Sequence, residues 1–159
     1  MTISVGDTLP QTNLVKATEN GPEAIDSAEY FRGRKVALFA VPGAFTPTCS
    51  AKHLPGFVEK ADELRAKGID EVACTSINDA FVMGAWAKSA GAANVTMLAD
   101  GNGEFAEALG LTMDGSKFGM GKRSARYAMV VDDGKVAQLF VEGPGEFKVS
   151  SAEHMLGNL

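Results

Sequence analysis

The residue most able to do covalent chemistry is Cys49, which follows a loop that starts at Pro42 and contains Thr46. A continuous apolar stretch, residues 36–41, precedes the loop, and a helical pattern begins at Cys49. At the start of a helix, free backbone N–H groups and the helix dipole favour a negative charge. We therefore expect Cys49 to be a nucleophilic thiolate, with an inert buried cysteine as the alternative.

A reactive thiolate at this position needs more stabilisation than the end of a helix provides. An ordinary thiol, with a pKa of about 8.5, is only a few per cent ionised at neutral pH. A helix terminus contributes about 1 kcal/mol, whereas lowering a pKa by about two units requires roughly 3 kcal/mol. We therefore expect a second positive group near the sulfur, and an arginine is the natural candidate.

Apolar strands alternate with helical patterns along the chain, and a hairpin follows them. Predicted strands cover residues 36–41, 72–77, 95–99, 127–131 and 136–141, and predicted helices cover 49–68, 103–109 and 151–156. A further predicted helix carries Phe81, Val82, Ala85 and Trp86, with Asn78 or Asp79 as its cap. Pro55 is expected to kink the first helix. Residues 111–126 have little periodicity and read as a functional or interface loop. This order predicts an α/β fold with a mixed sheet flanked by helices.

Composition restricts the possible functions. The chain has 159 residues, of which 45% are hydrophobic, and a formal net charge of −5. We expect one domain and no nucleic-acid partner, because a phosphate-binding surface needs clustered lysine and arginine. No stretch approaches the ~20 apolar residues of a membrane helix, and the N-terminus lacks a signal-peptide pattern. We therefore expect a cytoplasmic protein with reduced cysteines, and no membrane partner.

The loop from Pro42 to Cys49 resembles the P-x-x-x-T-x-x-C active-site loop of the peroxiredoxins, and the run VPGAFTPTCSAKHLPGF is similar to their type 5, or type II, subfamily. Further similar segments follow in the same order: SINDAFVMGAWAK, MLADGNGEFAEALGL and RYAMVVDDGKV. The resemblance covers nearly the whole chain. It implies a thioredoxin-like fold with a central mixed β-sheet flanked by helices, in a single domain over residues 1–159.

The resemblance also implies roles for the residues around the thiol. Cys49 becomes the peroxidatic nucleophile, and Thr46 offers its hydroxyl to a peroxide oxygen and to the sulfur. Pro42 shields the sulfur from water. The backbone N–H groups of Thr48 and Cys49 hold the developing oxyanion. The family's arginine corresponds to Arg126, just before a late strand, with Arg123 as the competing candidate.

The implied activity is the thiol-dependent reduction of hydrogen peroxide and alkyl hydroperoxides, in antioxidant defence and redox homeostasis. Cys49 is oxidised to a sulfenic acid, and no metal or other cofactor is required. An external thiol then reduces it, and we expect glutathione with glutaredoxin, or thioredoxin. Cys74 lies in an apolar strand and reads as a packing residue. The alternative is a two-cysteine enzyme in which Cys74 forms a disulfide with Cys49.

His53 stands four residues after Cys49, so that it could position the thiolate or form an ion pair with it. Two other functions stay open: a cysteine hydrolase that uses Cys49 and His53, and a redox-inactive thioredoxin-like binding module.

The resemblance further implies a homodimer formed through the active-site loops. Phe45, Phe81, Trp86, Phe118 and Met120 are candidates for an apolar patch, with burial in the core as the alternative. Phe118 and Met120 are the two that we expect to be exposed in a monomer.

Overall fold

A seven-stranded mixed sheet is the centre of the computed structural model, which describes residues 2–159. Its strands are β1 (Asn13–Thr18), β2 (Gly21–Asp26), β3 (Lys35–Ala40), β4 (Glu71–Ser76), β5 (Thr96–Ala99), β8 (Tyr127–Asp132) and β9 (Lys135–Val141). Two short strands outside this sheet are β6 (Thr112–Asp114) and β7 (Lys122–Ser124). The sheet order is β2-β1-β5-β4-β3-β8-β9, and β6 and β7 form a separate hairpin.

The three central strands explain the continuous apolar runs in the sequence. Strand β3 pairs in parallel with β4, and β4 pairs in parallel with β5, whereas β8 is antiparallel to β3. Five of the six residues of β3 are buried, as are five of the six residues of β4. A strand covered on both faces is rich in apolar side chains on both of them, so it shows no alternation of apolar and polar residues.

Helices cover both faces of the sheet. They are α1 (Ser27–Phe31), α2 (Leu54–Ala66), α3 (Ala80–Ser89), α4 (Glu104–Leu109) and α5 (Ala152–Gly157). One buried cluster contains side chains of α2, α3 and α5, and the other contains side chains of α1 and α4. Asp26, Asp79 and Ser151 cap the starts of α1, α3 and α5 with their side chains. The predicted α/β fold with a mixed sheet flanked by helices is confirmed.

Several local features differ from the sequence prediction. The hairpin of β1 and β2 and the short helix α1 were not predicted, because their residues show weak apolar patterning. The segment 111–126 is not a simple loop: it contains the β6–β7 hairpin and a 3-10 turn at Ser116–Phe118. Instead of one kinked helix from Cys49, a π-helical turn over Cys49–His53 precedes α2, and Pro55 lies in the first turn of α2.

Within residues 2–159, none of the helices combines the length and the apolar character that a membrane crossing requires.

Candidate active site

Cys49 lies where the chain leaves β3, crosses a loop and enters a helix. Helical conformation begins at Pro47, and the Ser50 N–H donates the first intrahelical hydrogen bond, to the Thr46 carbonyl at 2.9 Å. The N–H groups of Thr48 and Cys49 precede that bond, so they belong to the unpaired first turn of the helix. Such groups bind an anion well, because the helix dipole adds to their own positive ends.

The helix is widened at the cysteine. Residues Cys49–His53 form a π-helical turn, closed by the Leu54 N–H, which donates to the Cys49 carbonyl. Pro55, the next residue, has no N–H to donate to the turn, so the sequence favours an irregularity here. Single π turns within α-helices occur frequently at functional sites.

Arg126 supplies the second positive group at the sulfur. Its Nη2 donates to the Cys49 Sγ at 3.0 Å, and Cys49 is fully buried. The sheet register explains the encounter: Tyr127 of β8 pairs with Ala40 of β3, so Arg126 stands beside the end of β3 where the cysteine loop begins. A buried thiolate requires a nearby cation and hydrogen-bond donors, and Arg126 provides both.

Arg123, the competing arginine, has other partners. Its Nε donates to the Met120 carbonyl at 2.9 Å, and its Nη1 donates to the Ile77 carbonyl at 3.1 Å. Arg123 therefore ties the β6–β7 hairpin to the end of β4, and Arg126 is the arginine that lies at the sulfur.

His53 contacts Arg126 rather than the sulfur. The Arg126 Nη1 donates to His53 Nδ1 at 2.8 Å, and His53 Nε2 lies 2.9 Å from the Ser150 carbonyl. A guanidinium only donates, so Nδ1 accepts and Nε2 carries the proton. Burial, followed by the charge of Arg126, lowers the pKa of His53 to about 3. A neutral His53 orients the guanidinium, which corrects the expected ion pair with Cys49.

Three aromatic rings enclose the imidazole of His53. The ring centroids of Phe39, Phe57 and Phe147 lie 4.9, 5.7 and 5.0 Å from its own. The Phe147 ring also faces the guanidinium of Arg126, with 5.8 Å between the Arg126 Cζ and the ring centroid. This apolar enclosure excludes water, so electrostatic interactions between the cation and the sulfur are stronger than in solvent.

Thr46 and Pro42 lie in the loop before the helix, and both are half-buried. The Thr46 hydroxyl donates to the Gly43 carbonyl at 2.7 Å. Its proton is thus engaged, which differs from the expected donation to the sulfur or to a peroxide oxygen. The free lone pairs of the hydroxyl can instead accept a hydrogen bond from the O–H of a hydroperoxide. Pro42 directly follows the buried Val41 at the end of β3.

Two side chains that the sequence analysis did not assign to the site, those of Asn78 and Trp86, fix the cysteine loop and the π turn by hydrogen bonds. The Asn78 carboxamide oxygen accepts from the Ala44 N–H at 3.0 Å, and the Trp86 indole N–H donates to the Ser50 hydroxyl at 3.0 Å. Trp86 is 1% exposed, so it belongs to the core and not to an apolar surface patch. The position of Asn78 just after a buried strand was the available signal, because such residues often face a ligand edge in α/β folds.

Cys74 lies in the interior of β4, where it pairs in register with Phe39 of β3. It is fully buried, and both cysteines are free thiols. Burial, and then the proximity of Cys49, raises the pKa of Cys74 well above its ordinary value. Cys74 is therefore a neutral thiol at physiological pH, and as such a poor nucleophile.

Apolar side chains project from the loops near the site. Phe118 is 79% exposed, as predicted, and Phe45 is 54% exposed. Met120, predicted to be exposed, is half-buried, because its side chain packs near Gly43 of the cysteine loop. Phe45 has a left-handed backbone conformation, with φ of 65°. Few non-glycine residues adopt this conformation, and those that do cluster at functional sites.

A cavity away from the sulfur lies beside helix α3. This cavity of about 840 Å³ lies between the β1–β2 turn and α3, with Ala17, Pro22 and Phe81 among its lining residues. The residues that surround the sulfur do not line it. Across residues 2–159, no three side chains of His, Cys, Asp or Glu are grouped so that they could hold a metal ion.

Known proteins are similar to this chain in sequence and in fold. The family model described as Redoxin matches residues 4–156. Peroxiredoxin-2E-2, chloroplastic, of Oryza sativa subsp. japonica is 55% identical over 161 residues, covering 98% of this chain and 72% of the rice protein. Reduced Prx3 of Vibrio vulnificus in complex with H2O2 has a TM-score of 0.95 and 52% identity, covering 99% of both chains. Peroxiredoxin 5 of Alvinella pompejana has a TM-score of 0.85 and 36% identity, covering 97% of this chain and 96% of that one.

Proposed function

This chain belongs to the peroxiredoxin family of thiol-dependent peroxidases that act in antioxidant defence, and from that premise we propose that Cys49 is the thiolate that attacks the peroxide. The observation that carries the proposal is the 3.0 Å contact between the Arg126 guanidinium and the Cys49 sulfur. A permanent cation at this distance favours the thiolate, which is the nucleophilic form of cysteine. The free N–H groups of the first helical turn add to the same effect.

The proposed reaction is a displacement at oxygen. The Cys49 thiolate attacks the distal oxygen of a hydroperoxide, an S–O bond forms, and the O–O bond breaks. The sulfur becomes a sulfenic acid, and the departing oxygen takes a proton to leave as water or an alcohol. Arg126 and the N–H groups of Thr48 and Cys49 stabilise the charge as it moves between the oxygens.

Thr46 and Pro42 complete the proposed site. The Thr46 oxygen, whose proton is engaged by Gly43, accepts a hydrogen bond from the peroxide O–H and so aligns the O–O bond with the sulfur. Pro42 adds no competing donor and helps to exclude water. Because Cys49 is fully buried, the substrate must enter through a local opening of this loop. The crystal of Vibrio vulnificus Prx3 with H2O2 supports hydrogen peroxide as a substrate here.

For the reductive step, we favour a cycle that uses one cysteine of the chain and an external thiol. Cys74 is an inefficient partner for Cys49 because it is neutral and enclosed in the centre of the sheet. A disulfide between them would need Cβ atoms about 4 Å apart in the right orientation. Glutathione with glutaredoxin is the proposed reductant, and thioredoxin is the competing one.

The proposed assembly is a homodimer through the loops around the site. Phe45, Met113 and Phe118, which we call the loop patch, are exposed apolar side chains near the cysteine loop and in the β6–β7 segment. Exposed apolar side chains on neighbouring loops favour association.

We also propose that residues 1–159 form one domain, in a reducing cytoplasmic compartment where both thiols stay free. Cell fractionation would test the location, given that the rice relative is described as chloroplastic.

Stopped-flow kinetics with reduced protein test the proposed nucleophile. Cys49→Ser should abolish the reaction with hydrogen peroxide, because serine provides no thiolate. Cys74→Ala, the matched control, should retain it and should also sustain turnover with glutathione and glutaredoxin. Peroxide consumption by Cys49→Ser would overturn the assignment of the nucleophile, and loss of turnover in Cys74→Ala would overturn the one-cysteine cycle.

A further inference from the structure

A single carboxylate holds the loop that supports the arginine–histidine pair. Glu142 directly follows β9, and its side chain accepts hydrogen bonds from three consecutive backbone N–H groups, those of Lys148, Val149 and Ser150. Their lengths range from 2.7 to 2.9 Å. The Ser150 hydroxyl donates a further bond of 2.7 Å. We call this arrangement the Glu142 clamp.

The held segment contacts the catalytic groups in two ways. The Ser150 carbonyl accepts from His53 Nε2, and His53 in turn accepts from Arg126. The Phe147 ring packs beside the imidazole and faces the guanidinium. Movement of residues 147–150 would therefore shift both the partner that orients His53 and the wall that encloses Arg126.

The backbone of Glu142 fixes the same arginine from the other side. The Glu142 N–H donates to the Arg126 carbonyl at 3.0 Å, one step beyond the pairing of Tyr127 with Val141. Glu142 thus anchors the Arg126 main chain and, through the clamp, the neighbours of the Arg126 side chain. A residue that only closed a surface turn would not contact both the Arg126 main chain and the 147–150 segment.

The clamp is charged at neutral pH. Burial acts to raise the pKa of Glu142, but the hydrogen bonds from Ser150, Lys148 and Val149 outweigh it and lower the pKa below its ordinary value. Hydrogen bonds to a charged acceptor are roughly twice as strong as neutral ones. Glutamine at this position would present an N–H₂ group to N–H donors, so that part of the clamp would be lost.

We propose that Glu142 is a positioning residue for the peroxidase reaction, because its carboxylate fixes the 147–150 segment that orients His53 and, through it, the Arg126 guanidinium on the Cys49 sulfur. The inference rests on the role proposed above for Arg126. Glu142 has no contact with the sulfur, and acts only through these groups.

The test compares Glu142→Gln with Glu146→Gln. Glu146 lies in the same loop, carries the same charge and pairs with exposed Lys148, so its variant is the matched control. We expect Glu142→Gln to slow the reaction of reduced protein with hydrogen peroxide on the order of tenfold, the effect of weakening one charged hydrogen-bond network. The pH at which the rate is half-maximal should rise. Glu146→Gln should react as the unmodified protein does.

A double-mutant cycle separates positioning from a general loss of stability. If Glu142 acts through Arg126, adding Glu142→Gln to Arg126→Met should slow the reaction no further than Arg126→Met alone. An equal slowing in both backgrounds, or an unchanged rate and pH profile in Glu142→Gln, would overturn the proposal. An unchanged rate in Arg126→Met would instead overturn the proposed role of the arginine itself.

Ser150→Ala keeps the experiment decisive if Glu142→Gln does not fold. That variant removes one donor of the clamp and leaves the backbone contacts. We expect a decrease of about threefold in the same rate constant, with the same upward shift of the pH profile, since one hydrogen bond to a charged group is lost. A Ser150→Ala protein that matches the unmodified chain in both measurements would contradict the role of the clamp.

Discussion

The chemistry of individual side chains here depends on charge placed in a dry site. Cys49 is fully buried, yet its sulfur receives a hydrogen bond from a guanidinium, which keeps its charge under all physiological conditions. His53 is kept neutral by burial and by that same charge, so it can accept a hydrogen bond from Arg126 without repelling it. The neutral histidine is therefore part of the reason why the cation points at the sulfur.

Replacement of Arg126 by Met should slow peroxide reduction about 10²- to 10³-fold, as expected for the loss of one preorganised donor to the reacting charge. The rate should also need a higher pH to reach its maximum, because the thiolate loses its cation. Stopped-flow measurements from neutral to alkaline pH would show both effects. Arg34→Met, which removes an equal charge at the opposite end of β3, is the control. Unchanged kinetics in Arg126→Met would redirect the assignment to Arg123.

His53 should make the fold less stable in acid. Its folded-state pKa of about 3 lies below the ordinary value of 6.5, so the unfolded chain binds the extra proton first. The neutral His53 therefore stabilises the fold fully at a pH above 6.5. The stabilisation decreases as the pH drops from there towards the folded-state pKa, by up to about 1.4 kcal/mol per pH unit. Chemical denaturation should show that the free energy of unfolding depends less steeply on pH in His53→Gln than in the control variant, His154→Gln. Parallel curves would contradict the assignment.

Secondary-structure elements deliver these side chains to one place. The end of β3 presents the cysteine loop, the adjacent start of β8 presents Arg126, and the segment after β9 presents Phe147 and Ser150. The π-helical turn lies between them and carries both Cys49 and His53. Hydrogen bonding fixes the register of adjacent strands, so the groups at their ends keep a defined arrangement, as the positioning of reacting groups requires.

The substitution Gly43→Ala tests how closely the side chains around the cysteine loop are packed. A Cβ at this position would lie 3.1 Å from the Thr46 Cγ2 and 3.2 Å from the Met120 Cε. Gly43→Ala should therefore displace Thr46 and slow peroxide reduction several-fold without unfolding the protein.

Gly56→Ala is the matched control, because its Cβ would meet nothing within 4 Å in helix α2. That variant should keep the full rate and gain about 0.5–1 kcal/mol of stability from its higher helix propensity. Equal rates in the two variants would contradict the packing that we describe around Thr46.

At the scale of the whole molecule, the reacting centre and the loop patch lie on the same side. The end of β3, the β6–β7 hairpin and Phe45 all border the site, whereas Val5 lies near the opposite end of β9, since Gly6 pairs with Val136. If two copies meet through the loop patch, then each active-site loop is held in place by the partner. Association and reactivity would therefore be linked.

Phe118→Asp should convert the proposed dimer to a monomer, because a buried unpaired carboxylate at an interface is costly. Phe118 is 79% exposed in the single chain, so the substitution should not harm the fold. Val5→Asp places the same charge on a 60% exposed residue away from the site, and it should leave the dimer intact. Sedimentation velocity distinguishes the species, and a monomeric unmodified chain would contradict the proposed assembly.

The class of fold, the strand-loop-helix junction and the motif with Pro42, Thr46 and Cys49 could be predicted from the sequence, because local patterning over short stretches encodes them. The choice between Arg126 and Arg123 required the three-dimensional structure, since it depends on the register of β8 against β3. The structure also assigned His53 to the arginine and revealed the Glu142 clamp, whose members are far apart in sequence. Long-range contacts leave no periodic signal in a single chain, so their partners emerge only when the sheet brings them together.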